Sequence, residues 1–369
     1  MLSNRISVLL MIGLLLAAWA APSAPAREFK LALPGYKFSF PADHASHDEF
    51  KTEWWYYTGH LRAKDGRKFG YELTFFRSAV DIEDGVKNSN WKLDNVYMAH
   101  FALTDLQGKR FYYDEVLNRP ALDLAGARTD RYEVWNGPWS AKLDNNKHLL
   151  SAKTKDYRIN LALVPEKPPV EHGKNGVSQK ASCKGCASHY YSLTRMKTTG
   201  TVTLNRQTFA VVGSSWMDHE FGSNQLTAEQ VGWDWFSVQL NDGCELMLYI
   251  MRRSDGSVDE NSSATIVHAN GKSEHLAKEQ FTIKATDFWR SPKTKGKYPS
   301  GWDVEIPSRA TKLQIRPELK DQELVTDKTT AVTYWEGACS VSGISSGRAT
   351  TGDAYVELTG YAEIFKKKI

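Results

Sequence analysis

The chain has 369 residues, with 47 Lys and Arg against 43 Asp and Glu and a formal net charge of +4 at pH 7. That length suits about two domains, and a charge so close to balance does not suggest a nucleic-acid partner. The one dense basic run, Lys366-Lys367-Lys368, reads as a solvated tail. At the other end, Arg5 is the only charge before residue 27. The run Ile6 to Ala21 is apolar, and Ala24-Pro25-Ala26 has the small-x-small form of a cleavage site. Residues 1–26 therefore read as a secretory signal peptide, and the mature chain is expected to be exported, periplasmic or secreted. The apolar run is short for a bilayer span, and no later segment is long and apolar enough for one, so no stable membrane span is expected after cleavage.

The remaining chain reads as sheet. Tyr71, Leu73 and Phe75 alternate with Glu72, Thr74 and Phe76. The same period of two recurs in Leu246 to Met251 and in Val356 to Tyr361. Asp65-Gly66, Asp242-Gly243 and Asn270-Gly271 supply hairpin turns. Glu274 to Phe281 is expected to hold a short helix. Pro165 to Ser182, rich in Pro, Gly, Lys and Ser, reads as an exposed excursion. Within or beside it, Cys183-Lys184-Gly185-Cys186 reads as a local loop disulfide, which an exported protein permits; Cys244 and Cys339 stand isolated in strand-like segments.

A faint repeat aligns Trp54, Tyr56 and Leu61 with Trp233, Trp235 and Leu240, each segment reaching an Asp-Gly turn. Each reads as the opening strand of a sheet domain, with residues 27–225 forming the first domain and 226–369 the second. Aromatic residues make up 12% of the chain, which suits a sheet protein enclosing an apolar cavity.

The most chemically loaded stretch is Trp216-Met217-Asp218-His219-Glu220-Phe221-Gly222, followed by Gly232-Trp233-Asp234-Trp235-Phe236. Carboxylates and a histidine beside tryptophan are costly to bury unpaired, and such clusters are where proton chemistry is sought. With Glu53-Trp54-Trp55-Tyr56-Tyr57-Thr58-Gly59, Ala187-Ser188-His189-Tyr190-Tyr191-Ser192, Tyr334-Trp335-Glu336-Gly337 and Leu358-Thr359-Gly360-Tyr361, these segments resemble the AttH-like and carotenoid 1,2-hydratase family. The resemblance runs from about residue 47 to 361. It implies two lipocalin-like antiparallel β-barrels packed together. It also implies either water addition to an isolated double bond or the predicted secreted hydrolase assignment of many exported members. The hydratases proper carry Asp-x-Asn-x-Gly where this chain has Asp218-His219-Glu220-Phe221-Gly222, which sets it nearer the exported branch.

Hydrating an unactivated alkene requires an acid kept protonated by burial, and aromatic faces to stabilise the cation that follows. Asp218 and Glu220 share one side of an extended strand, with His219 opposite. The candidate catalytic residues are Asp218 or Glu220 as the acid and His219 as an aid to the water. The candidate ligand-binding residues are Trp54, Trp55, Tyr56, Arg77, His100, Trp216, Trp233, Trp235, Tyr334, Trp335 and Glu336. The expected ligand is small and hydrophobic, isoprenoid- or lipid-like, and neither cofactor nor metal is called for.

Other readings stand beside this one. Asp218 and His219 could be structural, bonding indole N–H groups or backbone. Glu53 and Glu336 could simply pair with Arg or Trp. Zinc lacks a His-Glu-x-x-His run, although His60, His100 and His189 could converge. A Ser-His-Asp hydrolase has no nucleophile elbow at Gly213-Ser214-Ser215, but triads assemble across distance. A non-enzymatic carrier of hydrophobic molecules fits the same aromatic richness.

Overall fold

The computed structural model describes residues 28–80, 94–174, 176–224 and 226–363. The signal-peptide segment, the Lys366–Lys368 run and Gln225 lie outside the described residues. Thirteen strands make the first sheet: β1 (Thr52–Ala63), β2 (Lys68–Ala79), β3 (Asn95–Asp105), β4 (Arg110–Asn118), β5 (Ala125–Ala127), β6 (Glu133–Asn136), β7 (Trp139–Asp144), β8 (Lys147–Lys153), β9 (Tyr157–Pro165), β10 (Val170–Glu171), β11 (Ser178–Gln179), β12 (Ala187–Leu204) and β13 (Gln207–Asn224). Their spatial order is β4-β3-β2-β1-β13-β12-β9-β8-β7-β6-β5, with β10 and β11 added on β12.

The second sheet takes β14 (Gln230–Leu240), β15 (Glu245–Arg253), β16 (Ser263–Val267), β17 (Ser273–Ala277) and β18 (Thr282–Ala285) from the first part of its sequence. A small ribbon of β19 (Phe288–Arg290) and β20 (Lys297–Pro299) interrupts it. It is completed by β21 (Trp302–Ile306), β22 (Thr311–Pro317), β23 (Glu323–Val325), β24 (Thr333–Ser345) and β25 (Arg348–Thr359). All the pairings within these ladders are antiparallel. The two sheets curl into a near-barrel and a half-barrel, the all-β lipocalin-like class expected from the sequence. No helix among the described residues is long and apolar enough to cross a membrane.

Each sheet encloses its own core. Trp55, Tyr57, Leu73, Phe75, Phe101, Tyr191 and Met217 fill the first. Phe236, Val238, Leu248, Trp302, Ile315, Trp335 and Val356 fill the second. A third apolar cluster, with Tyr56, Tyr190, Trp216, Trp235, Met247, Tyr249 and Met251, lies where the sheets meet. Strands β1 and β2, and β13 from Ser215 to Gly222, are thus buried on both faces, one face in the barrel and the other between the sheets. The long β12–β13 hairpin turns at Asn205 and Arg206, both with positive φ, and breaks register between Leu193 and Met196. Such bulges bend a strand and raise its twist, which lets one hairpin serve the barrel and the interface.

The three expected hairpin turns join β1 to β2, β14 to β15 and β16 to β17, with Gly66, Gly243 and Gly271 at φ of 88°, 84° and 82°. Two local expectations differ. Glu274 to Phe281 continues as strand through Ala277, because Leu276 and His275 pair with Ala264 and Thr265; only a 3-10 turn, Lys278–Gln280, follows. The Pro165 to Ser182 excursion is not simply exposed. It lays β10 and β11 along β12 and buries His172 and Lys180. Cys183 and Cys186 form a disulfide at its end, while Cys244 and Cys339 are free thiols.

Candidate functional site

Strand register builds the site. On the first sheet Ser192, Asp218, Tyr56, Thr74 and His100 stand opposite one another across β12, β13, β1, β2 and β3. Two residues along, Tyr190, Glu220, Trp54, Phe76 and Met98 form a parallel row. On the second sheet Tyr249, Trp235, Glu357 and Glu336 align across β15, β14, β25 and β24. Residues two apart share a face, so these rows confront each other across the gap between the sheets. The gap is a cavity of about 340 Å³, lined by Trp54, Tyr56, Phe76, Met98, Trp233, Trp235, Tyr334 and other apolar surface, with Asp218, Glu220, Glu336 and Glu357 among them.

Asp218 is 3% exposed. Its Oδ1 accepts the Trp216 Nε1–H at 2.6 Å and the Ser192 hydroxyl; its Oδ2 accepts the Tyr190 hydroxyl at 2.8 Å. The Trp235 Nε1–H in turn donates to the Tyr190 oxygen at 3.0 Å. Burial pushes the Asp218 pKa up to about 7, against the pull of these three donors and with help from Glu220. Glu220 has other partners: Lys180 Nζ lies 2.9 Å from its Oε1, and Ser188 donates to the same oxygen. Lys180 also sits over the rings of Tyr190 and Tyr249, at 5.0 and 4.6 Å from their centroids.

Across the gap the Tyr56 hydroxyl donates to Glu336 Oε1, and the Trp233 Nε1–H donates to Glu357 Oε1 at 3.0 Å. Burial raises Glu336 well above the usual carboxylate range, with Glu72 and Glu357 adding repulsion. Glu357 is pushed up to about 8 by burial. His100, hydrogen-bonded to Tyr334 at 2.7 Å and Thr329 at 2.8 Å, is held down at about 3 by burial and stays neutral.

Period-two geometry separates the expected site residues. Trp54, Tyr56, Arg77, His100, Asp218, Glu220, Trp233, Trp235, Tyr334 and Glu336 all line the cavity. Trp216 packs in the cluster between the sheets and bonds Asp218. Trp55 and Trp335 point into the two barrel cores instead. His219 also faces into the first barrel, opposite Asp218 and Glu220, so the structure does not bring it to water in the cavity. Its Nε2 bonds Glu53 Oε1 at 2.8 Å, and its ring stacks on Trp55.

Glu53 is the centre of that second network. His47 Nδ1 lies 2.9 Å from Oε1, and Arg77 Nε lies 3.1 Å from Oε2. Burial alone would raise Glu53; the two histidine bonds and the Arg77 charge overcome it and hold the carboxyl well below its ordinary range. The ligand atoms of His47, Glu53 and His219 lie within 4.8 Å of one another, near enough to share a metal ion. The guanidinium and the imidazole bonds already answer the carboxylate charge, so the geometry is that of a buried ion-pair network.

The hydrolase alternative finds a related set in an unsuitable order. His172 Nε2 lies 2.6 Å from Ser192 Oγ, and Ser192 donates to Asp218, while His172 Nδ1 bonds Thr265 at 2.8 Å. A nucleophilic triad needs the acid on the histidine, not on the serine.

Lys180, Tyr190, Tyr249, Met251 and Glu357 line the cavity and were not singled out from the sequence. Parity with Asp353, Tyr355 and Thr359 on β25 marks one face for Glu357, but only the pairing with Glu336 reveals its neighbour. Lys180 had no local signal, because it comes from an excursion with no clear period.

The AttH-like family profile matches residues 31–361, nearly the whole described chain. The chain belongs to the AttH-like family. Among solved structures, the AttH-like chain is similar to one assigned as AttH from Nitrosomonas europaea, at 30% identity and a TM-score of 0.81, over 90% of this chain and 100% of that one. Kievitone hydratase from Nectria haematococca shares the fold at 15% identity and a TM-score of 0.68, over 91% and 98% of the two chains. CghA with Sch210972 shares it at 11% identity and a TM-score of 0.52, over 90% and 97%. No curated protein matches the sequence.

Proposed function

We propose that this AttH-like protein is an exported hydratase-type enzyme that adds water to a double bond of a hydrophobic, isoprenoid- or lipid-like molecule held between its two sheets. The observation that carries the reading is Asp218: a buried carboxyl, raised to about 7, in an aromatic cavity. An acid so poised is available as a proton donor near neutral pH. The Asp218 proton goes to one alkene carbon, leaving a carbocation on the other, and the faces of Trp54, Trp233 and Trp235 stabilise that charge. Water then bonds the cation and returns one proton to the Asp218 carboxylate, so the enzyme ends as it began. Trp216, Ser192 and Tyr190 hold the carboxylate during the intervening state. The cavity volume falls at the lower end of the range for small-molecule sites. The name and fold of kievitone hydratase are compatible with this reading, and the amino-terminal apolar run supports export.

The test is incubation of the purified protein with acyclic isoprenoid alkenes in ¹⁸O-labelled water. The expected product carries one labelled hydroxyl, and Asp218→Asn forms none above background. Unchanged labelling by Asp218→Asn would remove Asp218 from the role. Stoichiometric binding without any turnover across the panel would favour a carrier.

A further inference from the structure

The cavity is unevenly charged. Among the described residues its lining includes the carboxyl residues Glu53, Asp218, Glu220, Glu336 and Glu357 and two fixed cations, Arg77 and Lys180; Glu53 and Arg77 pair with each other in the barrel-facing network. Both cations are committed. Arg77 bonds Glu53, Asn95 and the carbonyls of His47 and Phe50. Lys180 bonds Glu220. His100 is neutral. The far end, at Glu336 and Glu357, therefore has acid without base.

Unused polar atoms gather behind that end. Glu336 Oε2 and Glu72 Oε2 accept no hydrogen bond, and neither the Tyr355 hydroxyl nor the Thr58 hydroxyl has a partner. Glu336 and Glu72 are 0% exposed, Thr58 1% and Tyr355 2%. Tyr355 lies close enough to Glu336 and Glu72 for their charges to act on it. Buried polar atoms are nearly always satisfied, so four orphans in one place call for an explanation. Without a cation these acids keep their protons: Glu72 and Glu357 are both pushed up to about 8, chiefly by burial.

The opposite end of the same cavity shows what such a wall accepts. There an ammonium, that of Lys180, lies against one carboxylate and two tyrosine rings. The Glu336 end offers the same chemistry with no ammonium of its own: two carboxyls beside Tyr56, Tyr334 and Trp233. We infer that the Glu336–Glu357 end of the cavity is a cation-recognition site, which takes the protonated or quaternary nitrogen of an otherwise apolar ligand. Binding exchanges a carboxylic proton for the ligand's charge, so the cavity stays near neutral throughout. Aromatic faces and carboxylates together are the usual means of holding such a group. The inference rests on this cavity being the ligand site, not on the hydration reaction.

The probes are benzyltrimethylammonium and neopentylbenzene, which have the same shape and differ by one positive charge. Titration of the full-length mature protein at pH 8 is read by tryptophan fluorescence and by calorimetry in two buffers of different ionisation enthalpy. The cation is expected to bind at least tenfold more tightly than the hydrocarbon and to release protons on binding. Glu336→Gln and, separately, Glu357→Gln should each weaken the cation at least fivefold and change the hydrocarbon less than twofold; two variants cover the case in which one fails to fold. Equal or tighter binding of the hydrocarbon, absence of binding by both, or cation affinity untouched in the folded variants would overturn the inference. Labelled-water incorporation is scored separately. A protein that hydrates alkenes but ignores the cation loses this inference and keeps its proposed reaction, and the converse outcome is equally distinct.

Discussion

Replacing Glu72 with Gln should stabilise the protein at alkaline pH and leave it nearly unchanged in mild acid. Glu72 is fully buried on β2, with Oε1 accepting the Thr74 hydroxyl and Oε2 without a hydrogen bond. Burial, with Glu357 nearby, raises its pKa from 4.5 to about 8. The unfolded chain releases this proton near the ordinary value, and the folded chain keeps it until about 8. Between those limits the folded state binds more protons, so stability falls as pH rises through the window and levels off above it. The gap corresponds to at most about 5 kcal/mol. Part of it comes from Glu357, and a neighbouring acid can ionise in place of Glu72, so about 2–3 kcal/mol is the expected loss assigned to this residue. Gln keeps the shape and the oxygen that Thr74 bonds, and it does not titrate. Thermal unfolding followed by tryptophan fluorescence should place Glu72→Gln within about 2 °C of the parent at pH 5 and roughly 5 °C above it at pH 9. A Tm difference that is constant from pH 5 to pH 9 would refute the reasoning, because Glu72 would then hold the same proton in both states.

Four further outcomes follow from the site. Asp218→Asn keeps an oxygen for the Trp216 and Ser192 donors but has no proton to give, so hydration should drop about 10²–10⁴-fold. The parent rate should decline above about pH 7 as the acid form is lost, and a rate flat from pH 6 to pH 9 would count against Asp218 as the acid. Lys180→Met leaves the buried Glu220 carboxylate without its ammonium and should cost about 3 kcal/mol in urea unfolding at pH 7; Lys180→Met with Glu220→Gln should recover most of it. Arg77→Met removes the guanidinium from Glu53 and from two backbone carbonyls and should cost about 3–5 kcal/mol by the same assay, with no recovery on adding zinc.

Much of this was legible in the sequence because sheets obey a period of two. The alternation around Tyr71, Leu246 and Val356 marked strands that the structure contains as β2, β15 and β25. The same parity put Asp218 and Glu220 on one face and His219 on the other, and it brought Trp54 with Tyr56 and Trp233 with Trp235 to the cavity. Applied strictly, it would also have sent Trp55 away from Trp54, and Trp335 away from Tyr334 and Glu336, into the cores they occupy. What sequence did not carry is which strands confront each other. Glu72 on β2 lies near Glu336 and Glu357 only because the sheets pack face to face, and no local pattern encodes that meeting. Lys180 and His172 were hidden for another reason: backbone pairing with β12, not side-chain period, draws their segment inward. Glu53 shows the same limit, since its partners His47, Arg77 and His219 come from three separate stretches.

The most direct check on the central claim is native mass spectrometry of the protein purified without detergent, followed by solvent extraction and identification of what is released. The account predicts one hydrophobic molecule per chain, bearing a double bond or the alcohol formed from it, and its loss in a Trp235→Arg variant that still folds. Recovery of only water-soluble sugars or nucleotides, or a hydrophobic molecule retained unchanged by Trp235→Arg, would contradict it.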